Sequence, residues 1–207
     1  EMCIRDRIIA ICMSTFPCFA SAMDRIVCLG DSLTAGYGLD PEQAYPSLLQ
    51  DMLSEGGQES TVINAGVSGD TSAGGLRRLS WIMQQKIDCI IIALGANDAL
   101  RGQPVEQTEN NLRQIIRLAR EKQPGISIIL AGMRAPPNMG PDYTRQFEEI
   151  FPRLAKEESV RLLDFLLEDV AARPELNLAD GIHPNAKGQR IIAERLAALL
   201  LEKLEAD

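Results

Sequence analysis

The sequence has one histidine in 207 residues. Metal centres built on nitrogen ligands draw on several imidazoles, so a metal-dependent phosphoesterase using Asp31, Asn97, Asp98, Asp180 and His183 is a poor reading. Any reaction that needs a base near neutral pH has His183 as its natural candidate. Basic charge is also short. Lys and Arg number 21 against 29 Asp and Glu, a formal net charge of -8. Phosphate backbones and anionic lipid surfaces are bound by clustered cations, so no nucleic-acid partner is expected.

No Pro/Gly/Ser-rich stretch, charge run or internal repeat divides the chain, and 45% of it is hydrophobic. One domain around one buried core is expected. The apolar segment at residues 8–19 is shorter than the roughly 20 residues that span a bilayer, and it ends in Ala20-Ser21-Ala22, a small-residue cleavage site. Residues 1–22 therefore read as a secretory signal cut before Met23, and residues 23–207 as the domain. A buried N-terminal helix is the bland alternative. A lipid anchor at Cys18 is disfavoured by Pro17, where a small residue is expected. Met2-Cys3-Ile4-Arg5-Asp6-Arg7 resembles the translation of a sequencing adapter read through at a contig edge, and on that reading residues 1–7 are foreign to the signal.

Of five cysteines, Cys3, Cys12 and Cys18 fall in this leader. Cys28 and Cys89 sit in apolar strand-like runs, where a thiol behaves as a small hydrophobe. Aligning the ends of those strands sets them at different heights, so no disulfide is expected, and neither has metal-ligand spacing.

From Arg25 on, short β-branched runs alternate with stretches of helical period, the pattern of a parallel sheet covered on both faces. Strands are expected at residues 25–29, 61–64, 87–94, 127–131 and 160–163. Helical stripes run through Tyr45, Leu48, Leu49, Met52 and Leu53, through Leu112, Ile115, Ile116 and Ala119, and through Phe147, Ile150, Phe151 and Leu154. A last helix begins near Ala186. The expectation is a flavodoxin-like α/β/α sandwich with five parallel strands in the order 2-1-3-4-5, its ligands bound beyond the carboxyl ends of the strands.

Three glycine-bearing turns fall at that rim: Gly30-Asp31-Ser32-Leu33, Asn64-Ala65-Gly66-Val67-Ser68-Gly69-Asp70 and Gly95-Ala96-Asn97-Asp98. Any one alone is an ordinary turn; their shared edge is what points to a site. The lone histidine lies in Asp180-Gly181-Ile182-His183-Pro184-Asn185, where a turn would let Asp180 accept from Nδ1–H and leave Nε2 facing Ser32. The bland alternative is a histidine capping the final helix. The backbone N–H groups of Ser32 and Gly69 and the Asn97 amide could serve a tetrahedral oxyanion. Asp31, Asp70 and Asp98 read as structural, holding the turns through backbone N–H groups. Trp81 reads as core, and Arg77-Arg78 as a solvated helix face.

Gly-Asp-Ser-Leu, the second-block glycine, Gly-x-Asn-Asp and Asp-x-x-His, in this order, resemble the four blocks of the SGNH (GDSL) hydrolases. The likeness is nearest to the branch of periplasmic multifunctional thioesterase/protease/lysophospholipases and related arylesterases of Gram-negative bacteria, and it runs from Ile26 to about Leu204. It implies Ser32 as nucleophile, Asp180 and His183 completing a triad, and Gly69 and Asn97 as oxyanion donors. It also implies a mobile substrate-side loop at residues 99–104, bringing Leu100, Arg101 and Gly102 to the substrate, and an acyl groove along residues 133–143 with Ala135 and Pro136. Ala135 is smaller than the leucine expected there. The implied activity is hydrolysis of aryl esters, acyl-CoA thioesters and lysophospholipids, by a periplasmic or secreted monomer with no cofactor and no stable membrane anchor. The other readings are a carbohydrate acetylesterase on the same scaffold and a non-catalytic acyl- or lipid-binding module.

Overall fold

The structure, a computed structural model, describes residues 23–206; the expected leader at residues 1–22 lies outside them. The chain runs β1 (Arg25–Gly30), α1 (Ser32–Ala35), α2 (Tyr45–Glu55), β2 (Thr61–Gly66), α3 (Ser72–Ile82) and β3 (Cys89–Ala93). It continues through α4 (Ala96–Leu100), α5 (Val105–Lys122), β4 (Ser127–Ala131), α6 (Pro141–Glu157), β5 (Arg161–Leu163) and α7 (Ala186–Ala206). The five strands are parallel and ordered β2-β1-β3-β4-β5, as the alternation of patterns predicts. Helix α2 packs on α7, while α3 packs on α5 and α5 on α6, giving the three-layer α/β/α sandwich.

Burial follows strand position. Ile90, Ile91 and Ile92 of β3 are fully buried, as are Cys28 and Leu29 of β1; strands covered on both faces read as continuous apolar runs for this reason. The edge strand β2 is only half-buried. Against the expected bounds, β1 and β2 both run on until Gly30 pairs with Gly66. Strand β3 is shorter than expected: the Ile87 amide is taken by Gln123 Oε1 at 2.7 Å, and Gly95, at φ +119°, turns the chain away beyond it. Cys28 and Cys89 form no disulfide; Cys89 stands opposite Ile26, and Cys28 opposite Ile91.

Two side chains depart from expectation. Trp81 is 74% exposed. It lies two residues, about 200° of helix, from the buried Leu79, so it faces outward where a core position was expected. Arg78 is no solvated surface residue: its Nε is 2.7 Å from Asp70 Oδ2 and its Nη2 donates to the Gly30 carbonyl at 2.9 Å.

The strand order reverses at β1. The chain passes from β1 to the edge strand β2, then back to β3 on the other side of β1. In open sheets such a switch point is where the connections diverge and leave a crevice, and Ser32 and Asn97 follow the two strands that flank it.

Candidate active site

Ser32 opens α1, a single turn. Asp31 caps it, Oδ1 accepting from the Leu33 amide at 3.0 Å, and Gly36 ends it in the left-handed region at φ +75°. At the first helical position the Ser32 amide has no intrahelical acceptor. The turn is tight enough that a Cβ at Gly30 would overlap the Thr34 hydroxyl, which itself meets the buried Tyr45 hydroxyl at 3.0 Å.

His183 stands across from it. Its Nε2 is 3.0 Å from Ser32 Oγ and its Nδ1 is 2.7 Å from Asp180 Oδ2. The carboxylate can accept only a proton held on Nδ1, so Nε2 is the acceptor for the serine hydroxyl. Asp180 Oδ1 accepts from the amides of Ile182 at 2.9 Å and His183 at 3.0 Å. The His183 backbone N–H, then its ring, then the Ile182 N–H hold the Asp180 carboxyl down to about 2. The Tyr37 ring covers the imidazole, its centroid 4.5 Å away and its plane inclined by 36°.

Gly69 takes φ +80° in a turn closed by the Asp70 amide on the Val67 carbonyl at 3.0 Å. A side chain there would be strained. The Asn97 amide nitrogen donates to Asp31 Oδ2 at 3.2 Å, which fixes its plane and leaves a second N–H on the same nitrogen. Burial pushes the Asp31 carboxyl up to about 6, opposed by the Leu33 amide, the Asn97 amide and His183. Asp98 Oδ2 accepts from the Ser72 amide at 2.8 Å and Oδ1 from its hydroxyl at 2.5 Å. Asp31 and Asp98 thus hold turns through backbone N–H groups as expected, whereas the Asp70 carboxylate is engaged by Arg78.

Ser32, Gly69, Asn97 and His183 line one cleft of about 810 Å³, and Leu100, Ala135 and Pro136 join them. Arg101 and Gly102, expected at the substrate, are not on its wall. Of the mobile loop expected at residues 99–104, Ala99 and Leu100 belong to helix α4, and Arg101 turns back so that Nη2 donates to the Gly69 carbonyl at 2.8 Å. The segment is pinned further on by the Tyr143 hydroxyl, which donates to the Gln103 carbonyl at 2.8 Å. The cleft has a second wall that the sequence reading missed: Phe165, Leu167, Ala171 and Ala172, in the connection after β5. The rule placing ligands beyond the carboxyl ends of strands was the available signal for Phe165. Arg134 lies over the Phe165 ring at 4.2 Å and pairs with Glu168 at 3.1 Å. Among the described residues no three of His, Cys, Asp and Glu are grouped to hold a metal ion.

The arrangement combines a hydroxyl, an imidazole oriented by a carboxylate and two further turns facing one apolar cleft, the equipment of acyl transfer through an enzyme-bound ester. Comparison with known proteins agrees. The model of the GDSL-like lipase/acylhydrolase family matches residues 28–191. An arylesterase of Vibrio mimicus is 42% identical over 186 residues, which cover 89% of this chain and 92% of that protein. The thioesterase 1/protease 1/lysophospholipase L1 of Escherichia coli (strain K12) is 41% identical over 182 residues, 87% of this chain and 85% of that protein. The crystal structure of the psychrotrophic esterase EstA from Pseudoalteromonas sp., inhibited by monoethylphosphonate, superposes with a TM-score of 0.82 at 34% identity, covering 88% of this chain and 99% of that chain.

Proposed function

The chain belongs to the GDSL-like lipase/acylhydrolase family and is a serine esterase/thioesterase, and from that premise we propose that Ser32 is its nucleophile, His183 its general base and Asp180 the carboxylate that orients the base. The observation that carries this reading is that the chain's one histidine bonds Ser32 through Nε2 and Asp180 through Nδ1.

Ser32 Oγ attacks the carbonyl carbon of the ester or thioester while its proton passes to His183 Nε2. The negative charge that develops on the carbonyl oxygen is met by the amides of Ser32 and Gly69 and by the second Asn97 N–H. Such donors act on the transition state because they are already aimed when the charge appears. The intermediate collapses, the alkoxide or thiolate leaves with the proton from His183, and an acyl ester remains on Ser32. Water then attacks that ester, giving its proton to His183, and the acid departs with the serine hydroxyl restored.

Of these groups only His183 reaches the leaving atom and the others face the scissile carbonyl, so one site serves both oxygen esters and thioesters. The apolar walls at Leu100, Ala135 and Pro136 support acyl substrates held by burial, with aryl esters, acyl-CoA thioesters and lysophospholipids as the substrate classes. The cleavage site at Ala20-Ser21-Ala22 supports export, with a monomeric domain starting at Met23 in the periplasm or outside the cell. No helix among the described residues is long and apolar enough to cross a membrane.

The test pairs Ser32→Ala and His183→Ala with labelling by a fluorophosphonate. Both variants remain folded and lose nearly all turnover, and the label on the native protein maps to Ser32. A folded Ser32→Ala protein with near-native turnover sinks the assignment. Activity that survives exhaustive chelation separates this chemistry from a metal-dependent one.

A further inference from the structure

We propose that Gln189, on α7 and outside the cleft, is a positioning residue that sets the distance between nucleophile and base. The proposal rests on the Ser32–His183 assignment. Gln189 is 1% exposed, yet it carries a primary amide into the core, and burying such a group without partners costs several kcal/mol. Both of its ends are satisfied. Nε2 donates to the Leu33 carbonyl at 3.1 Å and Oε1 accepts from the Tyr45 amide at 2.9 Å.

Leu33 follows the nucleophile in the one-turn helix α1, so its carbonyl is among those a helix end leaves without an intrahelical partner. Tyr45 opens α2, where its amide is unpaired for the matching reason. One side chain therefore answers orphan groups of two helices, one of which carries Ser32. The other end of the link is equally firm. Asn185 Oδ1 accepts from the Lys187 amide at 3.0 Å and the Gly188 amide at 3.2 Å, and the Asn185 carbonyl accepts from the Gln189 amide at 2.9 Å. His183 lies just upstream, its carbonyl accepting from the Leu178 amide at 2.8 Å.

Base and nucleophile are thus joined twice, once through the catalytic hydrogen bond and once behind it through Gln189. Without the second link the two segments, 151 residues apart in the chain, are held at the site by the bond that must be remade in every turnover and by the Tyr37 ring against the imidazole. A misplacement of about 1 Å can cost 10²-fold in rate, and that is the range over which a lost anchor acts.

Gln189→Met keeps the volume and removes both bonds. Expected is a folded protein with kcat lowered by roughly 10–100-fold, KM within about threefold, and fluorophosphonate labelling of Ser32 slowed in parallel. Gln189→Glu gives an independent readout. Protonated, the acid still donates to Leu33 and accepts from Tyr45; ionised, it turns an anion toward the Leu33 carbonyl. Its kcat should follow the native enzyme at low pH and then fall along an added alkaline limb that the native enzyme lacks. A folded Gln189→Met protein with kcat within about twofold of native overturns the proposal. So does a Gln189→Glu profile that matches the native one throughout, or failure of both variants to fold, which would make Gln189 a folding residue. Ser32→Ala, run alongside, reports on the nucleophile assignment alone.

Discussion

Arg78 and Asp70 meet at 2.7 Å, and the same guanidinium donates to the Gly30 carbonyl at 2.9 Å. One side chain of α3 thus ties the end of the strand before Ser32 to the residue after Gly69. Charge-assisted hydrogen bonds of this kind are stronger than neutral ones. Arg78→Ala should lower kcat by roughly 10-fold or more through displacement of the oxyanion turn, with Arg78→Lys intermediate because it cannot reach both acceptors in the same geometry. Steady-state kinetics on an aryl ester checks this; a change confined to KM would assign Arg78 to substrate binding.

Asn97 is expected to act on the transition state and hardly at all on bound substrate. Asn97→Ala should reduce kcat by roughly 10²–10³ with a small change in KM. Loss of KM with kcat intact would remove Asn97 from the oxyanion site.

Asp31 and Asp180 should respond to pH with opposite sign. Burial raises Asp31 to about 6 from its ordinary 3.8, so the folded state holds its proton more tightly than the unfolded chain does, and stability declines as pH rises from about 4 through 6. Asp31→Asn should relieve this by on the order of 1–3 kcal/mol above pH 6, the gain vanishing below about pH 4, while the Asn97 amide loses its carboxylate and kcat falls. Asp180, lowered to about 2 from 3.8, contributes stability that is fully present above about pH 4 and lost as pH falls toward 2. Denaturant titrations of Asp31→Asn and Asp180→Asn from pH 2 to 8 read both signs, and a pH-independent difference from the native protein contradicts either.

Ala135 is buried on the cleft wall, so a larger side chain there takes space from the acyl chain. Ala135→Leu should move the optimum toward shorter acyl groups. The shift should be shallow, since each buried methylene contributes only about 0.8 kcal/mol. A panel from acetyl to palmitoyl, as aryl esters and CoA thioesters, measures it; an unmoved optimum would transfer chain-length selection to the lining at Phe165 and Leu167.

Where sequence reading succeeded, it did so because the information was local. The β-branched run at Ile90-Ile91-Ile92 marks a doubly covered strand, and turn residues cluster where strands end. Asp180 was reachable because three residues of turn bring it to His183. Arg78 was not, since beside Asp70 its other acceptor is a backbone carbonyl 48 residues earlier that becomes a neighbour only when the sheet order is known. Trp81 misled for a related reason: apolar character does not say which side of a helix faces the sheet, and its neighbour Leu79 took the inner side. The mobile loop at residues 99–104 was an implication of the family resemblance, while the contacts that pin that segment, from Arg101 to Gly69 and from Tyr143 to Gln103, are tertiary.

The order of parts along the chain has a consequence for synthesis. Ser32 is translated early and the last strand ends at Leu163, but His183 and α7 follow only after it. A ribosome that has delivered every strand of the sheet has made Ser32 without the imidazole proposed as its base. Helix α7 must still dock on α2 before His183 reaches Ser32, so on the proposed assignment the emerging polypeptide is chemically silent until α7 settles. On that assignment hydrolytic competence arrives with α7.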